Sequence, residues 1–86
     1  MSRPQLARHV RLGFDRTRQR PILLLPETVV VLNDTGAAIL ERCDGQHTVP
    51  QIEAALAARF RTVPDGEVER YLARLVDRRL VVLTDG

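Results

Sequence analysis

Residues 28–35 read Thr-Val-Val-Val-Leu-Asn-Asp-Thr, and this stretch decides the fold. Val29-Val30-Val31-Leu32 is an unbroken apolar strand that runs directly into a helix N-cap at Asn33-Asp34. A strand buried on one face alternates apolar and polar residues, and this one does not. It carries no charge, no Pro and no Gly, the devices by which native sheets blunt a free edge. A small chain cannot cover both faces and the outer edge of such a strand from within. An unblunted edge of this kind points to a second chain that adds to it as a bound peptide, the alternatives being a homodimer partner or cover from the N-terminal leader.

Upstream, Val10-Arg11-Leu12-Gly13-Phe14-Asp15 alternates with period two and reads as a first strand with Val10, Leu12 and Phe14 on one face. Arg16 to Arg20 is a charged loop without Gly, so it is not a two-residue hairpin turn. Pro21 opens a second, wholly apolar strand at Ile22-Leu23-Leu24-Leu25, and Pro26-Glu27 turns the chain into the third, Thr28 to Leu32. The simplest layout is an antiparallel meander with the second strand in the middle. Residues 1–9 read as a flexible polar leader.

Downstream the pattern is helical. A first helix is capped by Asn33 or Asp34, ends before Gly45, and turns Ile39, Leu40 and Cys43 inward. Thr48-Val49-Pro50-Gln51 is a capping box with Pro in the first turn, opening a second helix with Val49, Ile52, Leu56 and Phe60 on one face. Pro64-Asp65-Gly66 breaks the chain, and a third helix spans Glu67 to Arg79 with Val68, Leu72, Leu75 and Val76 inward. Leu80 to Leu83 reads as a short terminal strand. The sum is one α+β domain over residues 1–86, winged helix-turn-helix-like, with a three-stranded antiparallel sheet followed by three helices. The expected core is Val10, Leu12, Phe14, Leu24, Ile39, Leu40, Ile52, Leu56, Phe60, Leu72 and Leu75.

Composition narrows the functional classes. The 86 residues are 44% apolar and 28% charged, with a net charge of +2, which fits a single globular domain. No apolar segment is long enough for a signal peptide core or a membrane span, and a single cysteine excludes an internal disulfide. These features place the expected location in the cytoplasm. All 13 basic residues are Arg, which reflects a GC-rich genome unless they cluster. One cluster exists: Arg70, Arg74 and Arg78 form an i, i+4, i+8 ladder on the third helix. It is either a solvated face paired with Glu67 and Asp77 or a dock for a carboxylate.

Catalysis has little support. The chain has only His9 and His47, no Gly-rich phosphate loop, and no second ligand pair to join Cys43 and His47 at a metal. No cofactor, metal or enzymatic activity is expected. The winged-helix order keeps a DNA-binding regulator as the alternative. However, the helices mix Glu53, Glu67, Glu69 and Asp77 with their Arg residues, and aromatic content is 3%.

Leu32-Asn33-Asp34-Thr35-Gly36-Ala37-Ala38-Ile39-Leu40, then Cys43-Asp44-Gly45, Thr48-Val49 and Ile52, resembles the PqqD family. Arg11 to Asp15 and Leu23 to Glu27 fit the same pattern, so the likeness covers residues 8–83. Gly36 stands where the family commonly has Ala, and Thr28 where many members have Gly. The resemblance implies a non-catalytic peptide chaperone of pyrroloquinoline quinone biosynthesis. Such a chaperone binds a ribosomally made precursor peptide (PqqA-like) and presents it to a radical S-adenosylmethionine enzyme (PqqE-like). It further implies that the peptide adds as a strand beside Thr28, Val29, Val30, Val31 and Leu32. The opposite wall of the groove would be the third helix around Arg70, Tyr71, Arg74 and Arg78. The quinone-pathway protein and a relative serving another peptide both fit.

Overall fold

The computed structural model describes residues 2–85. Five strands and three helices follow in the order β1 (Ser2–Leu6), β2 (Arg11–Asp15), β3 (Arg20–Leu24), β4 (Val29–Val31), α1 (Asp34–Glu41), α2 (Val49–Arg59), α3 (Glu67–Asp77) and β5 (Val81–Asp85). β2, β3 and β4 form an antiparallel meander with β3 in the centre, as the turn signals require. β1 and β5 form a separate two-stranded antiparallel ribbon.

The polar leader is therefore a correction: residues 2–6 are a strand. Alternate amides of β1 bond β5, and the others bond the turn after α1. Leu6 N donates to Cys43 O at 3.1 Å, and Pro4 O accepts from Gly45 N at 3.0 Å. The sequence hid this because Ser-Arg-Pro-Gln-Leu has no strand-like alternation. Its pairing is supplied by segments some 40 and 80 residues away, Cys43 to Gly45 and Val81 to Asp85.

The β2–β3 hairpin turn is held by Asp15, whose carboxylate accepts from the backbone N–H of Thr17 and Arg18 and from the Arg18 guanidinium, the last at 2.7 Å. The Arg18 bond holds the Asp15 carboxyl below the usual carboxylate range. Gln19 takes the left-handed conformation at φ 56° that Gly would otherwise supply.

Register settles which side of each strand is core. Directly opposed residues share a face, so Leu12, Leu23 and Val30 lie together, and Gly13, Ile22 and Val31 lie on the reverse. Leu23 is 1% exposed and packs with Val10, Leu32, Ile39, Leu40, Ile52, Leu56 and Leu72. Leu24 points the other way, is 38% exposed, and lies over Gly13, where a Cβ would meet its Cδ1 at 3.1 Å. Phe14 has the core-facing parity but opposes Pro21 at the turn end of the hairpin, outside the core cluster, and is 57% exposed. Leu24 and Phe14 are thus corrections to the expected core. Ile39, Leu40, Ile52, Leu56 and Leu72 are buried as expected, as is Val10, while Leu12, Phe60 and Leu75 pack at its margin.

The helices start where the caps said. Asn33 Oδ1 accepts from Gly36 N at 2.7 Å, and Thr48 with Gln51 forms the reciprocal capping box. Gly45 is left-handed, but α1 ends earlier, at Glu41, and Cys43 lies just beyond it in the core. α3 ends at Asp77, and Arg79 turns the chain at φ 63° into β5. No helix among the described residues is long and apolar enough to cross a membrane.

Two expectations follow. Leu23→Ala should lower unfolding free energy by about 2–5 kcal/mol, the range for a buried leucine. Leu24→Ala next to it should cost about 1 kcal/mol or less, measured by urea denaturation. Burial pushes the Cys43 thiol up to about 12, so it stays protonated at neutral pH. A thiol reagent at pH 8 should leave Cys43 unmodified in the native protein and react rapidly once urea unfolds it.

Candidate functional site: the free edge of β4 beside α3

β4 is an edge strand with all three side chains outside the core: Val29, Val30 and Val31 are 47%, 41% and 48% exposed. Its backbone register follows from the flanking bonds. Leu25 N donates to Thr28 O at 3.0 Å, and Leu32 N donates to Pro21 O at 2.9 Å. Bonded and non-bonded pairs alternate in an antiparallel ladder, so Leu23 and Val30 are the bonded pair between them. The N–H and C=O of Val30 are used by β3. Those of Val29 and Val31 point outward and are free for another strand.

The end of β4 is fastened by an arrangement the sequence did not disclose. Pro21 sits in the central strand and has no N–H for the carbonyl of Leu32, its cross-strand partner. The Arg20 guanidinium replaces that donor, with Nη2 2.7 Å from Leu32 O, and Nη1 reaches Asp34 at 3.6 Å. Leu32 itself is 5% exposed with both backbone groups bonded, so it belongs to the core and offers nothing to an added strand. Thr28 is exposed, but its carbonyl is taken up by the turn to Leu25.

α3 approaches the first turn of α1, which follows β4, through Tyr71. Tyr71 is partly buried, and its hydroxyl lies 2.6 Å from where a Cβ on Gly36 would stand. That close approach is the physical reason for Gly at position 36, since any side chain there would push the ring away from the first turn of α1. Burial raises the Tyr71 pKa, partly opposed by the charge of Arg74, whose guanidinium carbon lies 5.6 Å from the ring centroid.

The arginine ladder is not uniform. Arg70 bonds the carbonyl of Asp65 at 3.1 Å and pairs with Glu67 at 3.6 Å, so it closes the α2–α3 turn. Arg74 covers Tyr71, and among the described residues Arg78 forms no ion pair. The structure brings Tyr71 and Arg74 toward the β4–α1 junction and turns Arg70 elsewhere.

The Cys43–His47 spacing holds no shared site. Cys43 Sγ is buried and donates to Ile39 O at 3.4 Å. His47 Nδ1 lies 2.9 Å from Asp44 Oδ1, a contact that lowers the Asp44 pKa. Among the described residues no group of three or more His, Cys, Asp or Glu side chains could hold a metal ion.

Residues 21–81 match the family model described as coenzyme PQQ synthesis protein D (PqqD). A protein of Rhodopseudomonas palustris strain TIE-1 named PqqA binding protein is 46% identical over 75 residues, covering 87% of this chain and 72% of that one. A PqqA binding protein of Xanthomonas oryzae pv. oryzae strain KACC10331 is 38% identical over 85 residues, covering 95% and 92%. The solution structure of the PqqD portion of Methylobacterium extorquens PqqCD is described as a functional, stand-alone recognition element for ribosomally synthesised, post-translationally modified peptides. It superposes with a TM-score of 0.71 at 35% identity, over 92% of this chain and 87% of that one. With a family match over most of its length and a shared fold, the chain belongs to the PqqD family.

Proposed function

We propose that this protein is a non-catalytic peptide chaperone of pyrroloquinoline quinone biosynthesis. It binds a PqqA-like precursor peptide as a strand added to β4 and presents it to a radical S-adenosylmethionine enzyme of the PqqE type in the cytoplasm. The observation that carries this reading is the free edge of β4, with outward amides at Val29 and Val31 between three exposed valines. Main-chain bonds to an edge give affinity, and side-chain contacts on alternate positions give specificity. Tyr71 and Arg74 supply the opposite wall and a cation for a peptide carboxylate. Arg78 extends that basic flank, and Arg70 contributes by shaping the turn. The names of the relatives, a PqqA binding protein and a peptide recognition element, support a binding role. A DNA-binding regulator finds no comparable support, since one of the three ladder arginines is spent on an internal turn.

Proline substitution tests the register. Val31→Pro removes an outward N–H and places its ring against an incoming strand. It should weaken calorimetric affinity for the precursor peptide tenfold or more while circular dichroism stays native. Val29→Pro should behave alike. Val30→Pro removes a bond to β3 and should instead lower the stability of the fold. Undiminished binding by folded Val29→Pro and Val31→Pro proteins would leave the edge to a homodimer.

Arg74→Glu should weaken the same peptide several-fold if a carboxylate docks there. Main-chain pairing predicts only a shallow loss between 50 and 200 mM salt. A duplex-binding regulator with several phosphate contacts would lose affinity by orders of magnitude.

A further inference from the structure

A presenter must hold two partners at once, so a second docking face has to exist away from β4. The flank of α3 opposite Tyr71 and Arg74 offers one. There, Leu72, Ala73 and Val76 of α3, Val49 at the start of α2 and Leu83 of β5 line a groove of about 400 Å³. Leu83 is 51% exposed, so the groove ends in an uncovered apolar side chain.

The register of the ribbon adds a main-chain component. Ala7 N bonds Leu80 O, so bonded pairs fall at Gln5–Val82 and Arg3–Thr84. The N–H and C=O of Leu83 therefore point away from β1, toward the free side of the ribbon.

Charge distinguishes this groove from the β4 edge. Glu69 and Asp77 stand at its two ends, eight positions apart on the same flank as Ala73. Among the described residues neither forms an ion pair, although five of the chain's arginines pair with other carboxylates. α3 thus separates a flank carrying Tyr71, Arg74 and Arg78, with Tyr71 against α1, from an acidic, apolar-floored flank facing β5.

We infer that the α3–β5 groove is the docking surface for the modifying enzyme, and that it takes a segment with an apolar side chain flanked by Arg or Lys. The inference rests on the presentation reading above. The occupant follows from complementarity: apolar walls take an aliphatic or aromatic side chain, and two unpaired carboxylates at the ends favour cations beside it. A precursor-peptide carboxylate is repelled here and attracted on the other flank, so the two ligands sort themselves and do not compete.

The test uses the double variant Glu69→Arg/Asp77→Arg, with both sites exposed and outside the core, and a second variant, Leu83→Ser. Affinity for the purified radical S-adenosylmethionine enzyme and for the precursor peptide is measured separately. Oligomeric state is followed by sedimentation. We expect each variant to lose tenfold or more in enzyme affinity, to bind peptide as the parent does, and to remain folded and unchanged in mass. Undiminished enzyme binding overturns the inference and leaves the presentation reading intact. A parent protein that binds peptide but no enzyme overturns both. Loss of peptide affinity in the double variant reassigns the groove to the peptide, and a dimer dispersed by either variant reassigns it to a second copy of the chain; both results overturn the inference.

Discussion

The junction between β4 and α1 is the constraint on which the rest of the site depends. Within three residues the chain leaves an exposed edge strand, buries Leu32, and caps a helix with Asn33. A carbonyl in this position must find a donor, because a buried unpaired C=O costs about 1–3 kcal/mol. Pro21 cannot supply it, and the Arg20 guanidinium does. The same arginine reaches Asp34 in the first turn of α1, so strand and helix are fixed to each other by one side chain. Tyr71 then rests on that turn against Gly36, and its position sets where α3 faces the edge.

The exposed apolar surface of this protein is concentrated where partners are inferred to bind. The large hydrophobic side chains left in solvent are Phe14, Leu24, the three valines of β4, and Val82 and Leu83 of β5. A chain that leaves valines at successive edge positions carries an aggregation hazard unless a partner covers them. Helical and ribbon elements meanwhile bury a compact core, and its most enclosed members come from β1, β3, β5 and all three helices.

α3 organises the surface by its two flanks. Its core stripe of Val68 and Leu72 leaves one side to Tyr71, Arg74 and Arg78 and the other to Glu69, Ala73 and Asp77. Helical spacing lines up Tyr71, Arg74 and Arg78 on one flank, with Glu67 among them paired to Arg70, and sets Glu69 and Asp77 on the other. Arg70, the first member of the basic row, is bound back to the preceding turn, which anchors the helix N-terminus where Gly66 offers no side-chain cap.

Local chemistry made much of this legible in the chain itself. The Asn33 and Thr48 caps, the Gly66 break, the central position of the second meander strand and the unguarded valine strand all follow from short-range rules. They depend on a residue and its near neighbours. What the tertiary structure decided was everything that rests on long-range pairing. Ile22-Leu23-Leu24-Leu25 is apolar throughout, so only the register against β2 and β4 shows that Leu23 enters the core and Leu24 does not. Period two gave Phe14 the correct face, but its place at the hairpin end leaves it in solvent. Ser2 to Leu6 became a strand because β5 and the turn after α1 provide donors and acceptors that no local pattern announces. The direction of each amide in β4, the donor that Arg20 supplies to the Leu32 carbonyl, and the fit of Tyr71 against Gly36 are likewise properties of pairs distant in sequence. Their energies depend on geometry that exists only once the chain has closed on itself.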